Sequence, residues 1–332
     1  MSNILEVENL KIYFEANGGE VRAVDDVSFE LPQGSVLGLV GESGSGKSVL
    51  VRSILGLTPS KSVSEISGSI RFSGTDILSL TETELNRSYR GKRISMVFQD
   101  PMTALNPVMT IGDQIADSMR RHLGFDSKQA KARSAELLDS VGIPKPKERL
   151  NSYPHELSGG MRQRVVIAIA LSCEPDLLLA DEPTTALDVT VQAQILDLLH
   201  QLRLERGMSM ILVSHDLGLV SSYADTVAVM YGGRLAEVAN ANEIFESPRM
   251  PYTRGLIASI PDVRMPGHSR LETIPGSPPD LSVIDPGCRF APRCNQALEK
   301  CSQAKPEFSF DGNEKKHGWA CWNPIPVELS KR

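Results

Sequence analysis

The 332-residue chain carries 35 Lys and Arg against 41 Asp and Glu, a formal charge of -6, which argues against general nucleic-acid binding because that needs a basic face. Its longest apolar stretch, around Val165 to Cys173, is far shorter than the roughly 20 residues that cross a bilayer, and Met1-Ser2-Asn3-Ile4 opens no charged-then-apolar leader. These features predict a soluble, cytosolic protein with one large domain and a smaller piece, touching a membrane only through another subunit.

Up to about Gly34 the alternation of apolar and polar residues predicts short antiparallel strands, with Gly18-Gly19 as a hairpin turn. The run Val36-Leu37-Gly38-Leu39-Val40 reads as a buried strand and leads into Gly41-Glu42-Ser43-Gly44-Ser45-Gly46-Lys47-Ser48. Gly, four residues, then Gly-Lys-Ser, between a strand and a helix, is the phosphate-loop context. Backbone amides of residues 43 to 48 would face phosphate oxygens, and the helix opening at Lys47 adds partial positive charge there. Lys47 would neutralise β and γ phosphates, and the Ser48 hydroxyl would ligate Mg²⁺. The plain alternative is a Ser/Gly loop without a ligand.

Ile94 to Phe98 is strand-like and ends at Gln99, whose amide can reach both Mg²⁺ and an attacking water. Asp100-Pro101 and Asn106-Pro107 then break the chain, and a helical segment carries Leu137, Leu138 and Val141 on one face. Further on, Leu157-Ser158-Gly159-Gly160-Met161-Arg162-Gln163 precedes the apolar-periodic stretch Val165 to Leu171. Ser158, Gly159 and Gly160 therefore form the exposed amino end of a helix, a second anion site. One domain already has a phosphate loop, so this second cradle acts only on a nucleotide brought by another protein. An ordinary Ser-Gly-Gly helix cap is the local alternative.

Leu177-Leu178-Leu179-Ala180 is a second apolar strand, and it ends in Asp181-Glu182-Pro183. Carboxylates at the carboxyl end of a parallel strand face the crevice where open α/β sheets bind ligands. Asp181 would hold magnesium through water, and Glu182 would polarise the water that attacks the γ-phosphate. Asp188 can cap a helix running from about Val191 to Arg206. His215 follows the strand Met210 to Ser214 and can donate to the γ-phosphate; a structural histidine is the other reading. The sheet ends with Thr226 to Met230 and Arg234 to Val238 around Tyr231-Gly232-Gly233, a predicted hairpin. No internal repeat is present.

Through about the first 245 residues these motifs, in this order, resemble the ATP-binding subunit of an ATP-binding cassette (ABC) transporter. In that family Gly41 to Ser48, with Val49 after them, correspond to Walker A, Gln99 to the Q-loop and Leu157 to Gln163 to the signature motif. Leu177 to Asp181 match Walker B, Glu182 the catalytic glutamate, Ala186-Leu187-Asp188 the D-loop and His215 the switch histidine. The resemblance also implies an aromatic ring against adenine, for which Phe14 has the register, although core packing asks for the same ring. It implies an α/β fold: a P-loop NTPase (RecA-like) core in residues 1–247, with an N-terminal antiparallel β subdomain and a helical subdomain at about 100–165. ATP and Mg²⁺ follow as cofactors, and two such domains would pack head to tail.

From Pro248 the chain changes character, holding most of its prolines and four of its five cysteines, so residues 248–332 should be rich in loops. Pro251-Tyr252-Thr253, Leu256, Ile274-Pro275-Gly276 and Pro278-Pro279 resemble the C-terminal extension of oligopeptide, dipeptide and nickel importer ATPases. The cysteines Cys288, Cys294, Cys301 and Cys321 do not have paired zinc spacings, and a reducing compartment disfavours disulfides. An iron–sulfur cluster needs four thiolates without that pairing, and the resemblance also points to a [4Fe–4S] centre; zinc and free thiols stay open. Cys173, before Walker B, reads as a small buried hydrophobe.

The resemblance implies an enzyme at the cytoplasmic face of the inner membrane that hydrolyses ATP to drive import of dipeptides or oligopeptides. Two permease subunits would carry the solute, a second ATPase subunit (a sister or another copy) would complete the pair, and a substrate-binding protein would deliver the cargo. The same machinery could import nickel, glutathione or a sugar oligomer. A soluble ABC ATPase of translation or repair usually joins two cassettes or carries coiled-coil inserts, and this chain has neither.

Overall fold

The structure is a computed structural model that describes residues 2–16, 19–58, 62–185, 187–260, 273–283, 286–312 and 316–326. Gly18 of the predicted turn and Ala186 of the D-loop lie outside the described residues. In chain order the strands are β1 (Asn3–Ala16), β2 (Gly19–Pro32), β3 (Val36–Val40), β4 (Val63–Phe72), β5 (Thr75–Asp76), β6 (Ile94–Val97), β7 (Leu177–Asp181), β8 (Ser209–Ser214), β9 (Thr226–Tyr231), β10 (Arg234–Asn240), β11 (Ser309–Phe310) and β12 (Gly318–Trp319). The chain divides into two compact units, and β8 carries it from the first into the second.

The first unit holds residues 79–211 with short pieces at 1–2 and 32–35. β6 and β7 pair in parallel, and every residue of both is buried. Burial at every position, without alternation, suits parallel strands covered on both faces. Helices Ile111–Leu123, Ser127–Ser140 and Gly159–Ala170 pack on one another. Ile111, Ile115 and Met119 form the inner stripe of the first, and Leu137, Leu138 and Val141 are all buried, as their spacing predicts. Asp100-Pro101 does not break the chain; it starts a short helix, Pro101–Ala104. Asp100 accepts the Met102 N–H at 2.8 Å as N-cap, and Pro101 sits where a missing N–H costs nothing. Cys173 is buried, its Sγ 3.6 Å from the Ser118 carbonyl oxygen.

The second unit holds residues 3–31, 36–78 and 212–332. One of its sheets has the order β2-β1-β4-β5, with β1 and β4 antiparallel and Val7 opposite Ile70. The strands predicted to be short are in fact 14 residues each for β1 and β2. Asn9 (φ 47°) and Asp26 (φ 63°) sit inside them with left-handed backbone, and the register slips between Glu8 and Lys11. Such bulges interrupt the two-residue alternation without ending the strand. A second arrangement runs β3-β9-β10-β12-β11. β3 is buried throughout and pairs in parallel with β9, so Val40 stands opposite Val229. β9 and β10 form the predicted hairpin.

The C-terminal residues dock on this second arrangement. β12 pairs with β10, Trp319 opposite Glu237. Glu237 is fully buried, and its carboxylate accepts the N–H of Arg249 (2.6 Å) and Met250 (3.0 Å) and bonds His317 Nε2 (2.7 Å). A carboxylate is tolerated there because each oxygen has donors. The rings of Tyr231, Tyr252 and Phe290 meet with centroids 4.5 to 5.3 Å apart.

Candidate nucleotide site

In the second unit the phosphate loop leaves β3 at Gly41 and enters the Lys47–Ile54 helix through Gly46. φ is 151° at Gly41 and 100° at Gly46. A Cβ would strike the Met230 carbonyl oxygen at the first position and the Ala23 carbonyl oxygen at the second, so neither backbone nor space admits a side chain. Gly46 is the N-cap; no side chain caps this helix and its first turn carries no acidic residue. That leaves its amino end suited to an anion. Lys47 is 4% exposed, and its Nζ donates to the carbonyl oxygens of Gly41 (2.8 Å) and Glu42 (3.0 Å), with Ser45 Oγ at 3.5 Å. The ammonium therefore lies over its own loop, where phosphate oxygens can take the place of those acceptors. Ser43 and Gly44 are exposed, Ser45 is buried, and Ser48 and Val49 are half-buried. The Gly233 N–H donates to the Ser45 carbonyl at 2.9 Å and ties the β9–β10 hairpin to the loop. His215 follows β8 directly and is exposed. Phe14 is half-buried in β1 opposite Val63, while Tyr13 belongs to the core.

In the first unit Val97 of β6 stands opposite Ala180 of β7. Carried on by two residues, that register sets Gln99 beside Glu182, and Gln99 Nε2 donates to Glu182 Oε2 at 3.1 Å. The Thr185 hydroxyl donates to the same oxygen at 2.9 Å. Asp181 is fully buried at the end of β7. Glu182 turns the chain with φ 47°, a conformation that costs a non-glycine residue about 1–3 kcal/mol. The Asp181 carboxylate and the Gln99 amide oxygen are oxygen donors, the hard kind that Mg²⁺ takes.

The signature stretch also lies in the first unit. Ser158 is the N-cap of the Gly159–Ala170 helix, its Oγ accepting the Met161 N–H at 3.4 Å, and the first turn carries no acidic residue. Ser158 and Gly159 are exposed and Gly160 is half-buried. A Cβ on Gly160 would stand 3.2 Å from Val191 Cγ1, so the glycine lets this helix start close to the next one. Asp188 is the N-cap of the Val189–Arg206 helix and accepts the Val191 N–H at 3.0 Å. The local capping readings of Ser158 and Asp188 thus hold, and both remain exposed enough to act elsewhere as well.

Residues 24–185 match the family model described as ABC transporter, and residues 236–301 match that of the oligopeptide/dipeptide transporter C-terminal region. The chain is 48% identical over 322 residues to the dipeptide transport ATP-binding protein DppD of Bacillus subtilis, covering 97% of this chain and 95% of that one. It is likewise 48% identical over 320 residues to the oligopeptide transport ATP-binding protein OppD of Haemophilus influenzae, covering 96% and 98%. The chain belongs to the ABC transporter family of ATP-binding proteins. Among solved structures it resembles the dimeric post-hydrolysis state of the ATP-binding cassette MJ0796 bound to ADP and Pi, with a TM-score of 0.64, 26% identity and coverage of 71% of this chain and 98% of that one. It also resembles cbiO1 of Clostridium perfringens, part of the ABC transporter complex cbiONQ, with a TM-score of 0.62, 29% identity and coverage of 74% and 91%. The fold is therefore the ABC ATPase cassette, a P-loop α/β core, and ATP with Mg²⁺ is what an ABC cassette takes.

Sequence reasoning missed the second-unit residues that brace this ABC phosphate loop. The Glu42 N–H donates to Tyr252 Oη at 3.0 Å, and the Glu42 carboxylate meets Arg293. Asp25, 5% exposed, accepts from Tyr13 Oη (2.7 Å), Arg234 Nε (2.8 Å) and Arg289 Nη2 (2.9 Å), and Arg289 also donates to the Gly232 carbonyl. Burial works against the Asp25 carboxylate, but the Tyr13 hydroxyl and the two guanidiniums outweigh it and hold its pKa below the ordinary value. The one signal available was the pair of arginines just inside the Cys288 to Cys294 segment.

The four extension cysteines are free thiols. The Cys288 N–H donates to the Cys301 carbonyl at 2.7 Å. Burial first, then neighbouring cysteines, raises the pKa of Cys288, Cys294 and Cys321, the last to about 12. The donor set suits a [4Fe–4S] cluster in kind and number. The arrangement does not match that expectation: among the described residues no group of three or more His, Cys, Asp or Glu side chains is placed to hold a metal ion. Metal binding would need these thiols deprotonated, and burial works against that at Cys288, Cys294 and Cys321.

Proposed function

We propose that this chain is the ATP-hydrolysing subunit that powers an ABC importer of dipeptides or oligopeptides. It works on the cytoplasmic face of the membrane as one of a pair of ATP-binding subunits, beneath two permease subunits that receive peptide from a substrate-binding protein. The observation that carries the reading is the presence of two anion cradles in one chain, the Gly46 opening of one helix and the Ser158 opening of another. The first holds the chain's own nucleotide; the second closes the nucleotide of the facing subunit. The match of residues 236–301 to the oligopeptide/dipeptide transporter region and the dipeptide and oligopeptide transport for which DppD and OppD are named support peptide as the cargo. Among the described residues no helix is long and apolar enough to cross a membrane.

Residue roles follow within this reading. Gly41 to Val49 wrap the phosphates, with Lys47 as their counter-charge, and Phe14 stacks on adenine. Ser48, Gln99 and Asp181 hold Mg²⁺, which when bound offsets the charge on the β and γ phosphates. Glu182, oriented by Gln99 and Thr185, takes the proton of the attacking water, and His215 senses the γ-phosphate. Ser158, Gly159, Gly160 and Asp188 serve the partner's nucleotide. Residues 1–247 form the ATPase domain, with a helical subdomain at about 100–165, and residues 248–332 form the extension. Reconstitution with the permease pair and binding protein in vesicles tests the assignment: peptide should stimulate ATP hydrolysis and enter. A chain that never recovers with a permease, and that hydrolyses ATP fully as a lone monomer, overturns it.

For the cysteines, the iron–sulfur reading rests on the donor set alone. Four thiols of one unit, Cys301 on the short helix Glu299–Gln303 and the other three in loops, lie in an extension with little core of its own, which a metal staple would strengthen. Anaerobic purification followed by iron and sulfide assays and absorbance near 400 nm tests it. Colourless, iron-free protein that stays folded and active ends it.

A further inference from the structure

Arg293, beside Cys294, reaches out of the extension to the second residue of the phosphate loop. Its side chain is 6% exposed and Glu42 is 25% exposed. Nη1 donates to Glu42 Oε2 at 2.6 Å and Nη2 to Oε1 at 3.0 Å. The remaining donors are also engaged: Nε bonds the Pro275 carbonyl at 2.7 Å, and Nη1 lies 3.2 Å from Tyr231 Oη. The fork is thus fixed on both sides, which a lysine could not reproduce.

A glutamate at this position is electrostatically awkward. It places a negative charge in the loop that is to hold a polyanion, and a partly buried site screens that repulsion less than water does. The bidentate guanidinium cancels the charge and fixes the carboxylate in one place, while Tyr252 holds the backbone of the same residue.

We propose that Arg293 is a positioning residue for nucleotide binding: by pairing with Glu42 it neutralises the one acidic side chain of the phosphate loop and keeps it turned to the extension. The proposal rests on the phosphate loop being the ATP site. It also makes the extension a part of the nucleotide site, since without residues 248–332 the Glu42 charge stands alone.

The test uses the full chain and equilibrium titration with MgADP and a non-hydrolysable MgATP analogue, alongside steady-state kinetics. R293A should weaken the triphosphate about tenfold and the diphosphate less, because repulsion grows with ligand charge; KM for ATP should rise with kcat little changed. E42Q, which removes the charge, should restore R293A to within about twofold of the parent. Should R293A fail to fold, R293K, which keeps the charge without the fork, should show a smaller loss that E42Q again relieves. Unchanged binding in R293A, or weak binding that E42Q leaves weak, overturns the proposal, the latter because loop order rather than charge would be at stake. A parent chain that binds neither nucleotide overturns the ATP-site reading instead.

Discussion

Tyr252 Oη accepts the backbone N–H of Glu42 at 3.0 Å, joining residues 210 positions apart. Tyr252 is fully buried, and its ring packs on Tyr231 and Phe290. Burial above all raises its pKa, so the hydroxyl stays neutral. Tyr252→Phe keeps the ring packing and removes only the acceptor, leaving the Glu42 N–H without that partner. The expected loss is about 1–3 kcal/mol of stability, read as a lower unfolding midpoint in denaturant. A midpoint unchanged from the parent would mean that water replaces the hydroxyl at no cost.

Glu182 accepts from Gln99 Nε2 and from the Thr185 hydroxyl on the same oxygen, Oε2, which fixes its carboxylate at the end of β7. Glu182→Gln keeps the shape and the accepting oxygen but removes the carboxylate proposed as base. Hydrolysis should fall by about 10²-fold or more while nucleotide binding persists, so closed, nucleotide-loaded pairs accumulate and are visible by size-exclusion chromatography. Turnover at the parent rate would take Glu182 out of the role of base.

Lys47 and Ser158 separate the two cradles. Lys47→Ala removes the counter-charge from the chain's own phosphates, and affinity for MgATP should drop by at least about tenfold. Ser158→Arg fills the amino end of the signature helix but leaves the chain's own phosphate loop intact, so single-subunit binding should be normal and hydrolysis lost. In a mixed pair the Lys47→Ala subunit loses its own site and the Ser158→Arg subunit spoils its partner's. Identical behaviour of the two variants in nucleotide titrations would show that the cradles do not serve different nucleotides.

What the sequence disclosed, and what it did not, follows from the range of the interactions. Gly41 to Ser48, Asp181-Glu182 and Ser158 to Gly160 were legible because each is a local motif: spacing sets the turn, and flanking apolar runs set the strand or helix around it. The parallel strands β3 and β7 were legible because burial on both faces leaves an unbroken apolar run. Long strands with internal bulges at Asn9 and Asp26 were not, since one left-handed residue shifts the alternation that a reader follows. Asp100-Pro101 signals a break and a helix start equally well, and only the Asp100 to Met102 bond decides between them. The braces of the phosphate loop were beyond reach for a different reason. Glu42 and Arg293 are 251 positions apart, Asp25 and Arg289 are 264 apart, and no periodicity links residues at that range.

Asp25 gives the clearest dependence on pH. Its carboxylate, nearly buried, is shared by Tyr13, Arg234 and Arg289, and its folded pKa lies below the ordinary 3.8. The unfolded chain therefore takes up the proton at a higher pH than the folded chain does. Stability from this group is fully present above about pH 4 and is lost as pH falls through the folded value. At the other partner, burial followed by the charge of Arg234 draws Arg289 down to about 10, so it stays charged at neutral pH and the network is intact there. Asp25→Asn keeps the hydrogen-bonding shape but leaves the buried Arg289 and the half-buried Arg234 without their counter-charge. It should cost about 3–5 kcal/mol at pH 7, and between pH 4 and pH 2 its unfolding free energy should fall less steeply than the parent's. Denaturant melts across that range check both statements. Parallel acid profiles for parent and variant would mean that other carboxylates govern the acid limb, and a small loss at pH 7 would mean that water reaches the guanidiniums.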